Sequence, residues 1–348
     1  MANIAPLQAY QQILSMALED RSSSYEDLVS NNNALLAVLR RKGLWQTYSG
    51  PRIRQTLQIS KQVAQWYSGF DQLLNPALDL FNDAYFDPKM VVVPIILSMQ
   101  EILGNEGESQ LMDVFDSYID AGERALEDAM DAGIYSDGTA NGGKQITGLA
   151  TAIPIVTDSG VYGGINKATA GNEIWRTKTY DASGAAGSVA IPAAIGTQVS
   201  STTIRPMLNY VMTRQSRGRD YADLLLMSPE HYAAYDAATV AIQRQTNETS
   251  LGKLGFSALE YIGGGKRAEI VLDGGIGSNM PADTTFGINT DSLRLRYHPS
   301  RNFDRLFEGD GQMPIDKDAI AQFIGWMGEL TQTNPLFNWR FRDSNPAA

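Results

Sequence analysis

The chain has 348 residues, of which 43% are hydrophobic and 19% are charged, so it is long enough for a sizeable core and is not disordered. Its 28 Lys and Arg stand against 39 Asp and Glu, and the net charge of −11 disfavours a broad electrostatic grip on nucleic acid. Cysteine is absent, which excludes disulfides and thiolate metal sites. We expect neither a signal peptide nor a membrane span, because no apolar run approaches the roughly 20 residues that a spanning helix needs.

Residues 1–44 combine a short amphipathic pattern, the polar break RSSSYED and the run NNNALLAVLRRKG. A segment with so few apolar residues is not a domain by itself, and we interpret it as an arm that lies on a larger body. Arg40, Arg41 and Lys42 form one local basic stretch in this arm. It is a candidate for DNA contact, although a solvated charged face is the commoner explanation of such a run.

Residues 45–74 are rich in Thr, Ile, Val, Trp and Tyr and predict two extended strands that turn near Ser60 and Lys61. A two-stranded hairpin is marginal by itself, so we expect this one to rest on another copy of the chain. The residues expected to contact that copy are Trp45, Arg52, Ile53, Arg54, Leu57, Ile59, Lys61, Trp66 and Tyr67.

The stretch KMVVVPIILS, which follows Asp87 and Pro88, predicts an apolar strand, and Pro94 places it at a sheet edge or a bulge. Residues 105–133 then give the clearest helical pattern of the sequence, with Gly133 as its stop. The outer face of this helix is acidic, and its candidate contact residues are Asp113, Asp116, Asp120, Glu123 and Glu127. Because neighbouring like charges repel, we interpret the hairpin cations as their partners, with a solvated acidic face as the equal alternative.

Residues 134–200 are rich in Gly, Ala, Thr and Ser and predict long loops with short strands. A helix through Ile204 and Val211, a buried strand in YADLLLMS and a helix opening at Ser228 and Pro229 follow. ALEYIGGGKRAEIVLDGG predicts two strands joined by a glycine turn. Further strands are predicted on both sides of Thr290 and over Ala319–Pro335.

Two features of the sequence are candidates for a nucleotide-binding, metal or catalytic site. GTANGGKQ, residues 138–145, resembles a phosphate-binding loop, but it follows a helix instead of a strand, and Gln145 replaces the hydroxyl that binds magnesium. The histidines, His231 and His298, lie far apart, so we interpret each as a surface or capping residue and predict no metal site or triad. No cofactor is expected.

The order of elements resembles the major capsid proteins of tailed bacteriophages, which have the Hong Kong 97-type fold, over essentially the whole chain. The stretches that carry the resemblance are RIRQTLQIS, QWYSGFDQL, GIYSDGTANGGKQITGLATAIP, GGINKATAGNEIWRTK and WMGELTQTNP. It implies an α+β fold with an N-terminal arm (1–44), an extended loop (45–74), a peripheral domain with a long spine helix (75–137), an axial domain (138–280) and closing strands of the peripheral domain (281–348).

The resemblance also implies a structural protein without enzymatic activity that assembles as hexamers and pentamers into an icosahedral virion shell in the bacterial cytoplasm. The implied partners are other copies of the chain, packaged double-stranded DNA bound without sequence specificity, and portal, scaffolding and decoration proteins, with no membrane. Some relatives join subunits through a lysine and an asparagine, but the surroundings of Lys61, Asn302 and Glu308 do not match well enough to carry that reaction over. An encapsulin-like compartment and a P-loop enzyme that uses Lys144 are the alternatives.

Overall fold

We analysed a computed structural model that describes residues 33–58, 64–73, 80–100, 108–239, 258–275, 278–306 and 318–346. The helices of these ranges are α1 (Ala34–Arg41), α2 (Glu108–Tyr135), the single turns α3 (Ala140–Gly143) and α4 (Leu149–Ala152), α5 (Ile204–Arg214) and α6 (Pro229–Thr239). The helix predicted over residues 105–133 is therefore confirmed in α2, which runs two residues past its predicted stop. Among the described residues, no helix is long and apolar enough to cross a membrane.

The strands fall into two main sheets and two small hairpins. They are β1 (Trp45–Thr47), β2 (Ile53–Gln58), β3 (Phe81–Phe86), β4 (Lys89–Ser98), β5 (Val161–Tyr162), β6 (Ile165–Asn166), β7 (Lys178–Asp181), β8 (Val189–Ala190), β9 (Leu224–Met227), β10 (Ala258–Gly263), β11 (Lys266–Leu272), β12 (Thr284–Ile288), β13 (Leu293–Arg305), β14 (Ala319–Gln332) and β15 (Trp339–Arg342). The fold is α+β, as predicted.

The first main sheet has the strand order β1-β13-β14-β4, so β4 lies at an edge, as Pro94 predicts. Alternate residues of β4 are buried, and Val93 and Ile95 face α2. The helix lies close to β4 at Gly122, where a Cβ would meet a side-chain carbon of Ile95 at 3.4 Å, an ordinary contact distance. The opposite face of β4 exposes Met90, Val92 and Ile96.

The second main sheet has the order β10-β11-β9-β12-β15-β7-β8. Its central strand β9 is buried at every position, which matches the uninterrupted apolar run Leu224–Met227. Helices α5 and α6 cover the core of this sheet with side chains that include Met207, Leu208 and Tyr235.

Strand pairing corrects the predicted end of the axial domain. Residues 281–348 were expected to close the peripheral domain alone, yet β12 and β15 pair with β9 and β7 in the second sheet, while β13 and β14 belong to the first. The boundary at residue 280 therefore divides a hydrogen-bonded sheet. The predicted bound between residues 137 and 138 stays a prediction.

The arm prediction is wrong for its last part. Helix α1 is buried in the core of its own chain, with Leu35, Leu36 and Leu39 fully inaccessible. Asn33 caps this helix by accepting a hydrogen bond from the backbone N–H of Leu36 at 3.0 Å. The six consecutive buried positions Ala34–Leu39 form a short apolar run inside a mostly polar segment, so the low apolar content of residues 1–44 as a whole hid their role in the core. Residues 1–32 lie outside the described residues.

Glu329 of β14 is buried, with 1% of its surface exposed. One carboxylate oxygen accepts hydrogen bonds from the backbone N–H groups of Thr147 at 2.8 Å and Leu330 at 3.1 Å. Burial raises the pKa of Glu329 to about 8, although the hydrogen bonds from Thr147 and Leu330 and the charge of Lys89 oppose the rise. Because Thr147 lies in the segment after α2, the protonation state of Glu329 is linked to the packing of that segment against β14.

We expect the Glu329→Gln variant to lose part of the pH dependence of stability. The pKa of a glutamate in an unfolded chain is about 4.3. Between that pH and about 8, the native chain therefore keeps a proton on Glu329 that the unfolded chain has lost. The wild-type free energy of unfolding should therefore fall as the pH rises through this window. Urea unfolding should show the variant more stable than wild type at the alkaline end, whereas Asp128→Asn, at an exposed position of α2, should leave the profile unchanged.

Candidate subunit interface

The first strand of the predicted hairpin pairs with a strand that lies outside the predicted segment 45–74. Strand β2 pairs with β3, and the register runs from Ile53 opposite Phe86 to Gln58 opposite Phe81. Both strands were expected inside residues 45–74, but the second lies beyond that segment. The alternation of apolar and polar residues correctly predicts β2 as a strand. Local sequence does not show which later strand pairs with it. The predicted turn, with Ile59 and Lys61, lies outside the described residues.

The base of this hairpin is held by its own chain. Tyr85 donates its backbone N–H to the carbonyl of Gly163 at 3.0 Å, and the rings of Phe86 and Tyr162 lie 5.0 Å apart. Ile53 and Leu57 are 3% and 4% exposed, so their predicted contact with another copy is wrong. Both side chains belong to the hydrophobic core, and the partner strand β3 contacts the loop that carries Gly163.

Trp45 packs partly against its own chain. Strand β1 pairs in parallel with β13, and the Trp45 ring packs against Tyr297 and Phe303 at centroid distances of 6.3 and 6.4 Å. Its side chain is half-buried, so its assignment to a subunit contact stays a prediction.

Residues 64–73 give the opposite result, and we call them the aromatic segment. Trp66 is 100% exposed and Tyr67 is 68% exposed, and Phe70 and Leu73 are also open to solvent. Asp71 accepts a hydrogen bond from the backbone N–H of Ser68 at 2.8 Å, which fixes a turn between the aromatic side chains. Exposed apolar residues clustered on one short segment mark a surface that another molecule covers.

The hairpin arginines form ion pairs inside the hairpin. Arg54 lies 2.7 Å from Asp83 and Arg52 lies 2.6 Å from Asp87, each distance joining a guanidinium nitrogen to a carboxylate oxygen. The hydrogen bond from Arg54 lowers the pKa of Asp83 below its usual value. Both arginines are well exposed, so these pairs contribute little to stability and leave further donors pointing outward.

The predicted acidic residues all lie on α2. Asp120 is exposed, and Glu123 and Glu127 are half-exposed. The side chains of Asp113 and Asp116 lie outside the described residues, although their helical positions do not. The acidic residue with the best-defined role is one that the prediction omitted, Asp131, which accepts two hydrogen bonds of 2.9 Å from Asn279.

The basic stretch of the arm is mostly engaged within the chain. Arg41 donates to both carboxylate oxygens of Glu269 on β11, and Lys42 pairs with Asp223 and donates to Thr290 at 2.7 Å. Arg40 also interacts with its own chain. These contacts fasten α1 to the second sheet and do not form an outward basic arm.

The loop that resembles a phosphate-binding motif lacks the required context. It follows α2, and Asn141, Gly142 and Gly143 have φ angles of 54°, 69° and 79°, so the turn α3 does not open a regular helix. A phosphate loop needs a strand before it and a helix N-terminus after it. The glycines instead let the chain reverse sharply between α2 and the next buried turn, α4.

His231 corrects the surface interpretation. It is fully buried, and its Nδ1 lies 2.8 Å from the hydroxyl of Thr285 on β12. Burial lowers the pKa of His231 to about 4, so it is a neutral core residue at physiological pH. Among the described residues, no group of acidic, histidine or cysteine side chains is arranged to hold a metal ion.

Sequence comparison finds no matching family model and no matching curated protein. Structure comparison finds the capsid asymmetric unit of cyanophage A-1(L) with a TM-score of 0.62 and 16% identity, covering 90% of this chain and 93% of that one. Capsids of native and empty gene-transfer-agent (GTA) particles match with TM-scores of 0.51 and 0.50 at 12% identity, covering 89% and 88% of this chain and 90% and 96% of theirs.

These matches cover 88–90% of this chain. The chain therefore has the fold of phage capsid proteins, and the resemblance predicted from its sequence is confirmed at the level of fold.

Proposed function

We propose that this protein is the major subunit of an icosahedral virion shell, built from hexamers and pentamers around double-stranded DNA. The observation that carries the proposal is the capsid fold over 90% of the chain. The role is structural and not enzymatic. Assembly takes place in the bacterial cytoplasm, and portal, scaffolding and decoration proteins are the further partners.

The aromatic segment supports the proposal, because it gives each copy an apolar surface that its own chain does not cover. The exposed face of β4, with Met90, Val92 and Ile96, is a second such surface. When one surface of a copy binds another surface of the next, the contact is heterologous, and it closes into rings if the rotation between copies permits. We assign the aromatic segment and β4 to such a contact.

Charge supports the same arrangement. The outward donors of Arg52 and Arg54 suit the acidic outer face of α2 on a neighbouring copy, including Asp120 and Glu123. Ion pairs at the rim of an interface chiefly set orientation and the rate of association. The hairpin cations would thus align two copies before the apolar surfaces meet.

We expect Arg52→Gln with Arg54→Gln to slow and weaken assembly, with a stronger effect at low salt. The matched control is Asp83→Asn with Asp87→Asn, which breaks the same two ion pairs within the hairpin but keeps its positive charges. Light scattering should show normal or faster assembly for the control. Equal impairment of both variants would mean that the hairpin pairs matter and the contact with α2 does not.

Negative-stain microscopy of the purified full chain tests the proposed function directly. Closed shells are expected, and nuclease-protected double-stranded DNA should be recovered from shells formed in infected or expressing cells. A chain that stays monomeric under all assembly conditions contradicts the proposal. Shells that contain a cargo protein instead of DNA would support the encapsulin-like alternative, and ATP binding that Lys144→Ala abolishes would support the P-loop alternative.

A further inference from the structure

Four cationic side chains lie together where α5 ends and two turns meet. Arg214 is the last residue of α5, Arg217 and Arg219 belong to the turn that follows, and Lys266 begins β11. We call these four residues the basic tip. It stands out because the whole chain carries a net charge of −11.

The two turns of the basic tip are fixed to each other. The backbones of Arg217 and Asp220 exchange hydrogen bonds of 2.9 and 3.0 Å around Gly218, whose φ is +63°. Lys266 donates its ammonium group to the carbonyl of Gly218. At the glycine turn between β10 and β11, a Cβ on Gly264 would lie 2.8 Å from Thr213 of α5. The backbone that carries these cations is therefore held in a defined conformation.

Aromatic rings hold two of these cations in place. The Arg214 guanidinium lies 5.0 Å from the centroid of Tyr210, and the Lys266 ammonium lies 4.9 Å from that of Tyr221. A cation that stacks on a neutral ring keeps its full charge for a ligand, and it loses less conformational entropy when that ligand binds.

The nearby glutamates form ion pairs with arginines outside the basic tip, so they do not neutralise its charge. Glu260 pairs with Arg267 on the adjacent strand, and Glu173, which shares a surface groove with Arg217, lies 3.6 Å from Arg176. Within the described part of the chain, no carboxylate forms a salt bridge with any member of the basic tip. Asp220 is the acid within the turn itself, so the four cations keep a local excess of positive charge.

We propose that the basic tip binds phosphate groups, and that the phosphodiester backbone of DNA is its ligand. Guanidinium groups match phosphate oxygens in pairs, and exposed arginines on a fixed turn can bind them without sequence preference. A confined positive patch also gives a negatively charged chain one place where a polyanion is attracted instead of repelled. Only the identity of the ligand as packaged DNA rests on the proposed function.

The test measures binding of a short labelled duplex to full-length chain kept below its assembly concentration. Arg217→Gln with Arg219→Gln should weaken binding about tenfold and reduce the slope of log affinity against log salt by about two. Arg124→Glu on α2 is the matched control, because both changes lower the net charge by two, and it should leave affinity and slope near wild type. Competition with inorganic phosphate and with polyphosphate separates the sources of phosphate: inhibition by polyphosphate alone is expected.

Three results would overturn the inference: equal effects of the arginine variant and the control, an unchanged affinity, or full competition by inorganic phosphate at equal phosphate concentration. Shell formation is scored separately by microscopy. If the arginine variant binds DNA normally but does not assemble, the tip contacts an acidic surface of another copy, and the inference fails while the proposed function stands. If wild type binds DNA through the tip but never forms shells, the proposed function fails and the inference stands.

Discussion

Replacement of Trp66 and Phe70 together by Ser should abolish shell formation and leave the isolated chain folded. Both rings are fully exposed in the single chain, so their removal costs its fold little. In an assembly each would bury roughly 150 Å² or more, about 4 kcal/mol of apolar burial per side chain before the costs of association. Sedimentation should show unassembled protein with a wild-type thermal transition.

The conservative variant Trp66→Phe with Phe70→Tyr keeps most of the aromatic area and should still assemble. Substitution of Val92 and Ile96 on β4 by Ser tests the receiving surface, and it should also prevent assembly without unfolding the chain. Normal shells from the Trp66 and Phe70 serine variant would show that the aromatic segment does not join copies.

Gly148→Ala should destabilise the chain by about 3 kcal/mol, the upper range for inserting an atom into a packed site. A Cβ at Gly148 would lie 2.1 Å from the carbonyl oxygen of Ile134 and 2.4 Å from that of Gly133. Both atoms belong to the backbone at the end of α2, so relief requires the helix or the following turn to move. Urea unfolding of the unassembled chain measures the loss.

Gly122→Ala is the matched control in α2. The added methyl group would meet Ile95 at 3.4 Å, an ordinary contact, and alanine favours a helix over glycine by up to about 1 kcal/mol. The variant should therefore be as stable as wild type or slightly more stable. If Gly148→Ala behaves in the same way, the turn after α2 adapts more easily than its backbone contacts indicate.

Regular patterns were sufficient for the individual elements. The long helix α2, the buried strand β9 and the two strands on either side of Thr290 are all found where periodicity predicts them. Pro94 correctly placed β4 at an edge, because a residue without an N–H cannot serve a central strand. These predictions succeeded because each depends on residues a few positions apart.

The candidate site was less predictable. Local patterns identified exposed Trp66 and Tyr67, yet they also selected Ile53 and Leu57, which their own chain buries. The basic tip was missed, because Lys266 lies far along the chain from the three arginines it joins. A count of basic residues in TRQSRGRD could have indicated part of it.

The sequence alone determined the helices α2, α5 and α6, most strands, the excess of acidic residues and the resemblance to a capsid fold. Tertiary structure decided that β2 pairs with β3, that β1 lies parallel to β13, and that α1 and His231 are buried. The physical reason is that alternation and helical spacing indicate which face of an element is apolar. Many different surfaces of the same chain could bury that face. Only the simultaneous packing of all elements, with every buried polar group partnered as far as geometry allows, selects one surface for each.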